Sequence, residues 1–212
     1  MPTQLSGQEQ AGTRATLLHF NAGTWEGSFV RLDRGGREVE RFGSHLEVAD
    51  RHGTIHADLT NRNTGTVRSM QFVDPPAEMQ ITPQGHWSLG PDRIGPWPWV
   101  CELCLVWGER RRRIIVRHNT DGLESLVLVT EGRPGHEPDP PATPLQGMAH
   151  ALGGDRLRWD FDQAAGTSVT TMARRVSGQE ERVGLAWQPE RGVMIQIERR
   201  YSPYGQLLGF DA

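Results

Sequence analysis

WVCELCLVWGERRRRIIVRHNTDGLESLVLVTE, residues 99–131, is the stretch that decides the fold. Three apolar-rich runs are separated by two polar turns, Gly108-Glu109-Arg110 and Asn119-Thr120-Asp121-Gly122. Apolar and β-branched runs joined by Gly- and Asp-Gly-containing turns are the strongest hairpin signal in a single sequence, because those turns supply the backbone angles a tight reversal needs. The stretch predicts a three-stranded antiparallel meander over 99–107, 112–118 and 123–131.

Upstream, the same punctuation repeats. Residues 15–21 suit a short helix, and 23–32 a strand that bends at Gly27. In 37–49, Phe42, Ser44, Leu46 and Val48 alternate with Arg41, Gly43, His45 and Glu47, the period of a half-buried strand. Gly43 predicts a kink or bulge there. Strands follow at 54–61, 66–73, 79–82 and 86–89, and the loop 90–98 is stiffened by prolines. Downstream, the proline-rich stretch 133–147 predicts a surface loop. Strands recur at 156–161, 168–176, 182–187 and 192–201, with 206–210 as a last short one.

Helical periodicity is absent after Asn21. About ten short strands joined in sequence by tight turns imply an antiparallel barrel or sandwich. Glycines inside the strands favour a closed, up-and-down barrel, because closure needs local kinks. The tail beyond Gly147 is too short to bury a core by itself, so it is expected to complete the same barrel. The domain plan is therefore a disordered N-terminus over 1–14 and a single barrel over 15–212, with the loop 133–147 inside it.

The chain has 212 residues, 36% hydrophobic and 23% charged, enough for one core. A net charge of −3 argues against a general nucleic-acid binder, whose affinity comes mainly from neutralising phosphates. All 23 basic residues are Arg. Arg forks hold carboxylates bidentately, so some are candidates for a ligand acid. Cys101 and Cys104 lie inside a strand run, where positions three apart face opposite ways. They read as buried, reduced thiols, and with no second ligand pair no metal is expected. The N-terminus lacks a signal-peptide pattern and no apolar run reaches membrane-spanning length, so a reducing cytoplasm is the expected location.

No phosphate-binding glycine loop or nucleophile elbow is present. His52 and His56 read as exposed strand residues. Arg113, Ile115 and Arg117 alternate with Arg112, Ile114, Val116 and His118, and one of these rows must face into a barrel. An inward Arg needs a partner, and Glu102, Glu131 and Glu198 are the candidates. Glu198 and Arg200 share one face of their strand, Arg199 and Tyr201 the other. Of the seven tryptophans, Trp87, Trp97, Trp99 and Trp107 cluster around one loop and one strand. They suit a core or a flat-walled ligand pocket.

Asn21-Ala22-Gly23-Thr24-Trp25-Glu26-Gly27, the 37–48 strand, and Glu102-Leu103-Cys104-Leu105-Val106 through Arg111-Arg112-Arg113 resemble a cyanobacterial family of lipocalin-like (calycin) proteins of unassigned function. Ile197-Glu198-Arg199-Arg200-Tyr201-Ser202-Pro203-Tyr204-Gly205 is similar to that family's closing R-x-Y-x-x-x-G hairpin. The resemblance covers most of 18–131 and, more weakly, 157–209. A more distant likeness is to the S-type and T-type phycobiliprotein chromophore lyases. These hold a linear tetrapyrrole in an open barrel and deliver it to a cysteine on an apo-phycobiliprotein.

The resemblance implies an all-β barrel of calycin type that binds a bilin or related pigment and assists its attachment to a phycobiliprotein subunit. Arg113, Arg117 or Arg200 would hold the propionates, Glu102 or Glu198 would accept from pyrrole N–H groups, and Trp87, Trp99 and Tyr201 would line the guest. The bilin would be ligand or substrate, with no resident cofactor. The alternative is a non-enzymatic carrier of a fatty acid, carotenoid or chlorophyll derivative, or a protein-interaction module. Whether a homodimer forms stays open.

Overall fold

A computed structural model of the chain describes residues 7–141, 143–161 and 166–210, with side chains from residue 12 onward. Among these described residues there are one helix, α1 (Gly7–Asn21), and fourteen strands. The helix starts earlier than expected, inside the segment read as a disordered terminus; residues 1–6 of that segment lie outside the described residues. It ends where Gly23 takes φ +107°, a conformation open to glycine. A Cβ there would meet the Arg133 guanidinium.

The strands β1 (Gly23–Asp33), β2 (Glu38–Arg51), β3 (Thr54–Asn61), β4 (Val67–Phe72), β5 (Gln80–Ile81), β6 (Trp87–Leu89), β7 (Trp99–Trp107), β8 (Arg110–Asn119) and β9 (Gly122–Gly132) form one sheet. Its order is β4-β3-β2-β1-β9-β8-β7-β6-β5, with each pair antiparallel. Neighbours in sequence are neighbours in space, and β9 returns to pair with β1. This is the up-and-down order of a barrel whose ring stays open between β4 and β5, a curled half-barrel. The meander over 99–131 sits at its centre as β7, β8 and β9.

Gly27 marks a close approach of β1 to β9. It stands opposite Ser44 on β2 and Glu131 on β9. A Cβ at this position would strike the Thr130 carbonyl oxygen and come within 2.8 Å of Glu131 Cγ. The missing side chain makes room for a buried acid. The expected bulge at Gly43 is not there: Gly43 pairs in register with Ser28, and the register shift falls at Arg31/Leu32. Gly43 is covered instead by the Arg62 side chain, 3.6 Å from its would-be Cβ.

The tail does not complete that ring. Strands β10 (Met148–Gly153), β11 (Arg156–Phe161), β12 (Thr167–Met172), β13 (Glu181–Glu190) and β14 (Val193–Tyr201) form a second antiparallel meander. The strand at β10 was not foreseen, and 206–210 makes only isolated bridges. The physical reason lies in β7, β8 and β9. One face of these strands carries Cys101, Leu103, Leu105, Ile114, Val116, Leu126 and Leu128, all buried in one cluster with Trp159, Phe161, Val169, Leu185, Trp187 and Ile197 of the second sheet. The other face packs in the half-barrel, with Cys104, Val106 and Val129 buried there. Strands apolar on both faces need cover on both.

The R-x-Y-x-x-x-G stretch fastens the sheets together. Arg199 is fully buried and donates to the carbonyls of Glu78, Gly90 and Pro91, to Ser88 Oγ at 3.1 Å and to Tyr201 Oη at 2.7 Å. Tyr201 Oη donates in turn to the Pro91 carbonyl at 3.0 Å. The Gly205 carbonyl accepts from the Ile94 amide at 2.9 Å. Five acceptors around one guanidinium satisfy the hydrogen-bonding demand of a buried cation.

Candidate ligand site in the half-barrel

The period-2 alternation of β8 sends Arg111, Arg113, Ile115 and Arg117 into the lumen and Arg112, Ile114, Val116 and His118 toward the second sheet. Glu131 enters from β9 and Glu102 from β7. Arg111 Nε donates to Glu131 Oε2 at 2.6 Å. Arg113 donates to both oxygens of the same carboxylate, at 2.9 and 2.7 Å, and also to Glu102. Glu131 is fully buried. Burial alone would push its carboxyl up, but the two guanidiniums override that and hold it down to about 2. Burial works against Arg113 as well, and Glu131 with Glu102 raises it above the ordinary arginine value. Two of the three expected carboxylate partners, Glu102 and Glu131, are thus in place.

One end of the lumen is apolar and closed by α1. Leu17 of the helix packs with Leu46, Val48, Ile55, Trp87 and Val106. Asn21 at the helix end accepts from Trp87 Nε1 at 3.0 Å through its side chain and from Trp25 Nε1 at 3.0 Å through its carbonyl. Trp25 is held between the guanidiniums of Arg111 and Arg133, 4.2 and 4.3 Å from its ring centroid. The cavity at this end measures about 290 Å³ and is lined largely by aliphatic groups with Trp87, Glu102 and Arg113.

Toward the opposite end the lumen widens to about 710 Å³. Both volumes share Glu102, Arg113, Leu59 and Arg68, so the two cavities adjoin across the ion-paired floor. The wide end has a flat wall, Phe29 stacked on Phe42 at 4.8 Å and 14°. It also carries Arg31, Arg68 and Arg117. Arg31 stands at 3.8 Å from Glu40 and 3.9 Å from Glu124. Neither Arg68 nor Arg117 has an ion-pair partner among the described residues, and Arg117 Nε is buried without an acceptor. Small-molecule sites typically enclose roughly 300–1,000 Å³, which matches this lumen.

Of the residues singled out from sequence, Glu102, Arg113 and Arg117 meet in the wide lumen and Trp87 lines its apolar end. Trp99, Glu198, Arg200 and Tyr201 do not join them. Trp99 and Tyr201 are buried between the sheets, their rings 6.0 Å apart, and Trp99 stacks on His118 at 4.3 Å. Glu198 and Arg200 lie around a separate hollow of about 440 Å³ on the second sheet. Arg200 contacts Glu180 at 3.1 Å. The cause is the second sheet: Glu198, Arg200 and Tyr201 belong to β14 in that layer, and Trp99, on β7 of the half-barrel, faces it. Phe29, Phe42, Arg31, Arg68 and Arg111 were missed, although the inward row of β8 already contains Arg111.

The two thiols face opposite ways, as strand geometry required: Cys101 lies in the intersheet core and Cys104 in the half-barrel. Burial pushes both up to about 12. His52 sits in a turn at φ +54°. Among the described residues no group of three or more His, Cys, Asp or Glu could hold a metal ion. No helix among them is long and apolar enough to cross a membrane.

No curated protein matches the chain. Its fold is similar to the crystal structure of a DUF3598-family protein of unknown function from Nostoc punctiforme PCC 73102. The two are 17% identical, the match covers 92% of this chain and 95% of the other, and the TM-score is 0.72. The family model described as "Domain of unknown function (DUF3598), N-terminal" matches residues 14–136. That span runs from the second half of α1 to just past β9, so it takes in the whole half-barrel and stops before the second sheet. With more than half of its length matched in this way, the chain belongs to the DUF3598 family.

Proposed function

We propose that the half-barrel binds an amphipathic, carboxylate-bearing small molecule, with a linear tetrapyrrole as the guest and delivery of it to an apo-phycobiliprotein as the task. The observation that carries the reading is the polarity of the lumen. An apolar end under α1 passes, over a floor of ion-paired Arg113, Glu102 and Glu131, into a wide end with two guanidiniums, Arg68 and Arg117, that have no ion-pair partner among the described residues. An apolar skeleton with acidic arms matches that order. The propionates would pair with Arg117 and Arg68, a charge-assisted contact worth roughly 1.5–3 kcal/mol each. The stacked Phe29 and Phe42 rings would support a flat guest, and Glu102 stands where a pyrrole N–H could donate. Arg113 is already neutralised by Glu131, so it supports the floor more than it binds.

Such a protein acts by holding a floppy reactant in one conformation and keeping water from it. The acceptor thiol belongs to the partner, because Cys101 and Cys104 are buried and protonated. The specific choice of a bilin draws on the likeness to chromophore lyases. Titration with biliverdin should shift and sharpen its absorbance and induce circular dichroism, and Arg117→Gln should weaken binding by tenfold or more. An unchanged spectrum at micromolar protein would refute the bilin. A second reading, a carrier of fatty acid or carotenoid, draws on the aliphatic end under α1. Native mass spectrometry of protein from its own host distinguishes the two.

A further inference from the structure

We propose that a cavity at the Arg110 end of β8, under the proline-rich loop, is a second binding site that accepts a small monocarboxylate. The cavity measures about 430 Å³ and is lined by Arg110, Arg111, Arg112, Thr130, Glu131 and Trp187, together with Pro189 and with Glu137, Asp139 and prolines of the loop. Arg112 belongs to the outward row of β8, and the cavity lies at the strand end, where it also touches Arg111 and Glu131 of the lumen floor.

Four buried donors on residues lining this cavity meet no acceptor among the described residues, Arg111 Nη2 being one. Arg112 is 5% exposed, and its Nε and Nη1 are unpartnered among the described residues. Trp187 Nε1 is likewise unpartnered, with the Arg112 guanidinium 5.1 Å from its ring centroid. Arg111 gives its Nε to Glu131 at 2.6 Å, and two further polar groups nearby are engaged. Arg110 donates to the Pro189 carbonyl at 3.3 Å, and Thr130 bonds Ser28 at 3.0 Å. Burial, together with the neighbouring Arg110, lowers Arg112 only to about 10, so it is a cation at neutral pH. A buried cation with no counter-charge is one of the most unfavourable arrangements a fold can hold, and it is relieved by an anion.

The surroundings select the kind of anion. A guanidinium fork matches the two oxygens of a carboxylate. Trp187 and the prolines give flat apolar walls for the rest of the molecule. Glu137 and Asp139 at the rim oppose a multiply charged guest such as phosphate, and Glu137 already accepts from the Gly135 amide at 3.0 Å. The carboxylate has two possible sources: a free small molecule, or Asp139 of the loop turning inward. The proposal is the free molecule.

The test is thermal unfolding and calorimetric titration of the full chain with acetate, benzoate and inorganic phosphate. Benzoate should raise the midpoint most, acetate less, and phosphate not at all. Arg112→Met should abolish the carboxylate response while unfolding no earlier than wild type without ligand. If that variant does not fold, Trp187→Phe, which keeps the ring but loses the N–H, should weaken benzoate by about tenfold. The response must survive Arg117→Gln, which separates it from binding in the lumen. A wild type indifferent to benzoate, or an Arg112→Met that still responds, overturns the site. So does Asp139→Asn if it lowers the ligand-free midpoint and opens a benzoate response that wild type lacks, because the loop then fills the cavity itself.

Discussion

Replacing Glu131 with Gln tests the centre of the half-barrel most directly. In the folded protein one carboxylate neutralises two buried guanidiniums, with Arg111 at 2.6 Å and Arg113 at 2.9 and 2.7 Å. Its carboxyl falls from the usual 4.5 to about 2. Each pH unit of such a depression is worth about 1.4 kcal/mol, so the ionised Glu131 contributes on the order of 3 kcal/mol at neutral pH. Removing one partner of a buried ion pair, which strands the other charge, costs roughly 3–5 kcal/mol by direct comparison. The two routes agree. Glu131→Gln should therefore lower the stability measured by urea unfolding at pH 7 by about 3 kcal/mol or more.

The sign with pH follows from the lowered value. The contribution is complete above 4.5 and disappears as pH falls toward 2. Wild type should lose stability across that window while Glu131→Gln follows a flatter acid limb. The double variant Arg111→Met/Glu131→Leu keeps the Arg113–Glu102 pair and removes the stranded charge, so it should be more stable than Glu131→Gln alone. A Glu131→Gln protein within about 1 kcal/mol of wild type, with an unchanged acid limb, would refute the account.

Glu181 gives the opposite pH dependence. Burial pushes its carboxyl up to about 8, with Arg175 and a backbone hydrogen bond from Met172 opposing, and its Oε1 has no partner among the described residues. The neutral form is the folded form, so stability should fall as pH rises from about 4.5 to 8. Glu181→Gln should melt higher than wild type at pH 8, by about 1–3 kcal/mol of stability, and equally at pH 4. Cys101 and Cys104, fully buried and held near 12, should not react with a thiol reagent in native protein and should both react after unfolding in guanidinium. Labelling of either under native conditions, faster than global unfolding, would place that thiol at the surface.

Local pattern determined much of this protein. The meander over 99–131, the hairpins around it and the all-β class follow from period-2 alternation and turn residues, which act within a few neighbours. The same alternation placed Cys101 and Cys104 on opposite faces and put Arg113 and Arg117 on one row. What it could not decide is the layer a face belongs to. Trp99, Glu198, Arg200 and Tyr201 alternate as correctly as Arg113, yet they sit between the sheets or beyond them, because the tail folds back over the half-barrel and not into its ring. That choice depends on apolar area summed over β7, β8 and β9, whose two buried faces each demand a partner. The pairing of Glu131 with Arg111 and Arg113 needs β8 and β9 in register, with Gly27 leaving room for the acid opposite. The polarity of the lumen then arises only where strands distant in sequence curl around a shared space.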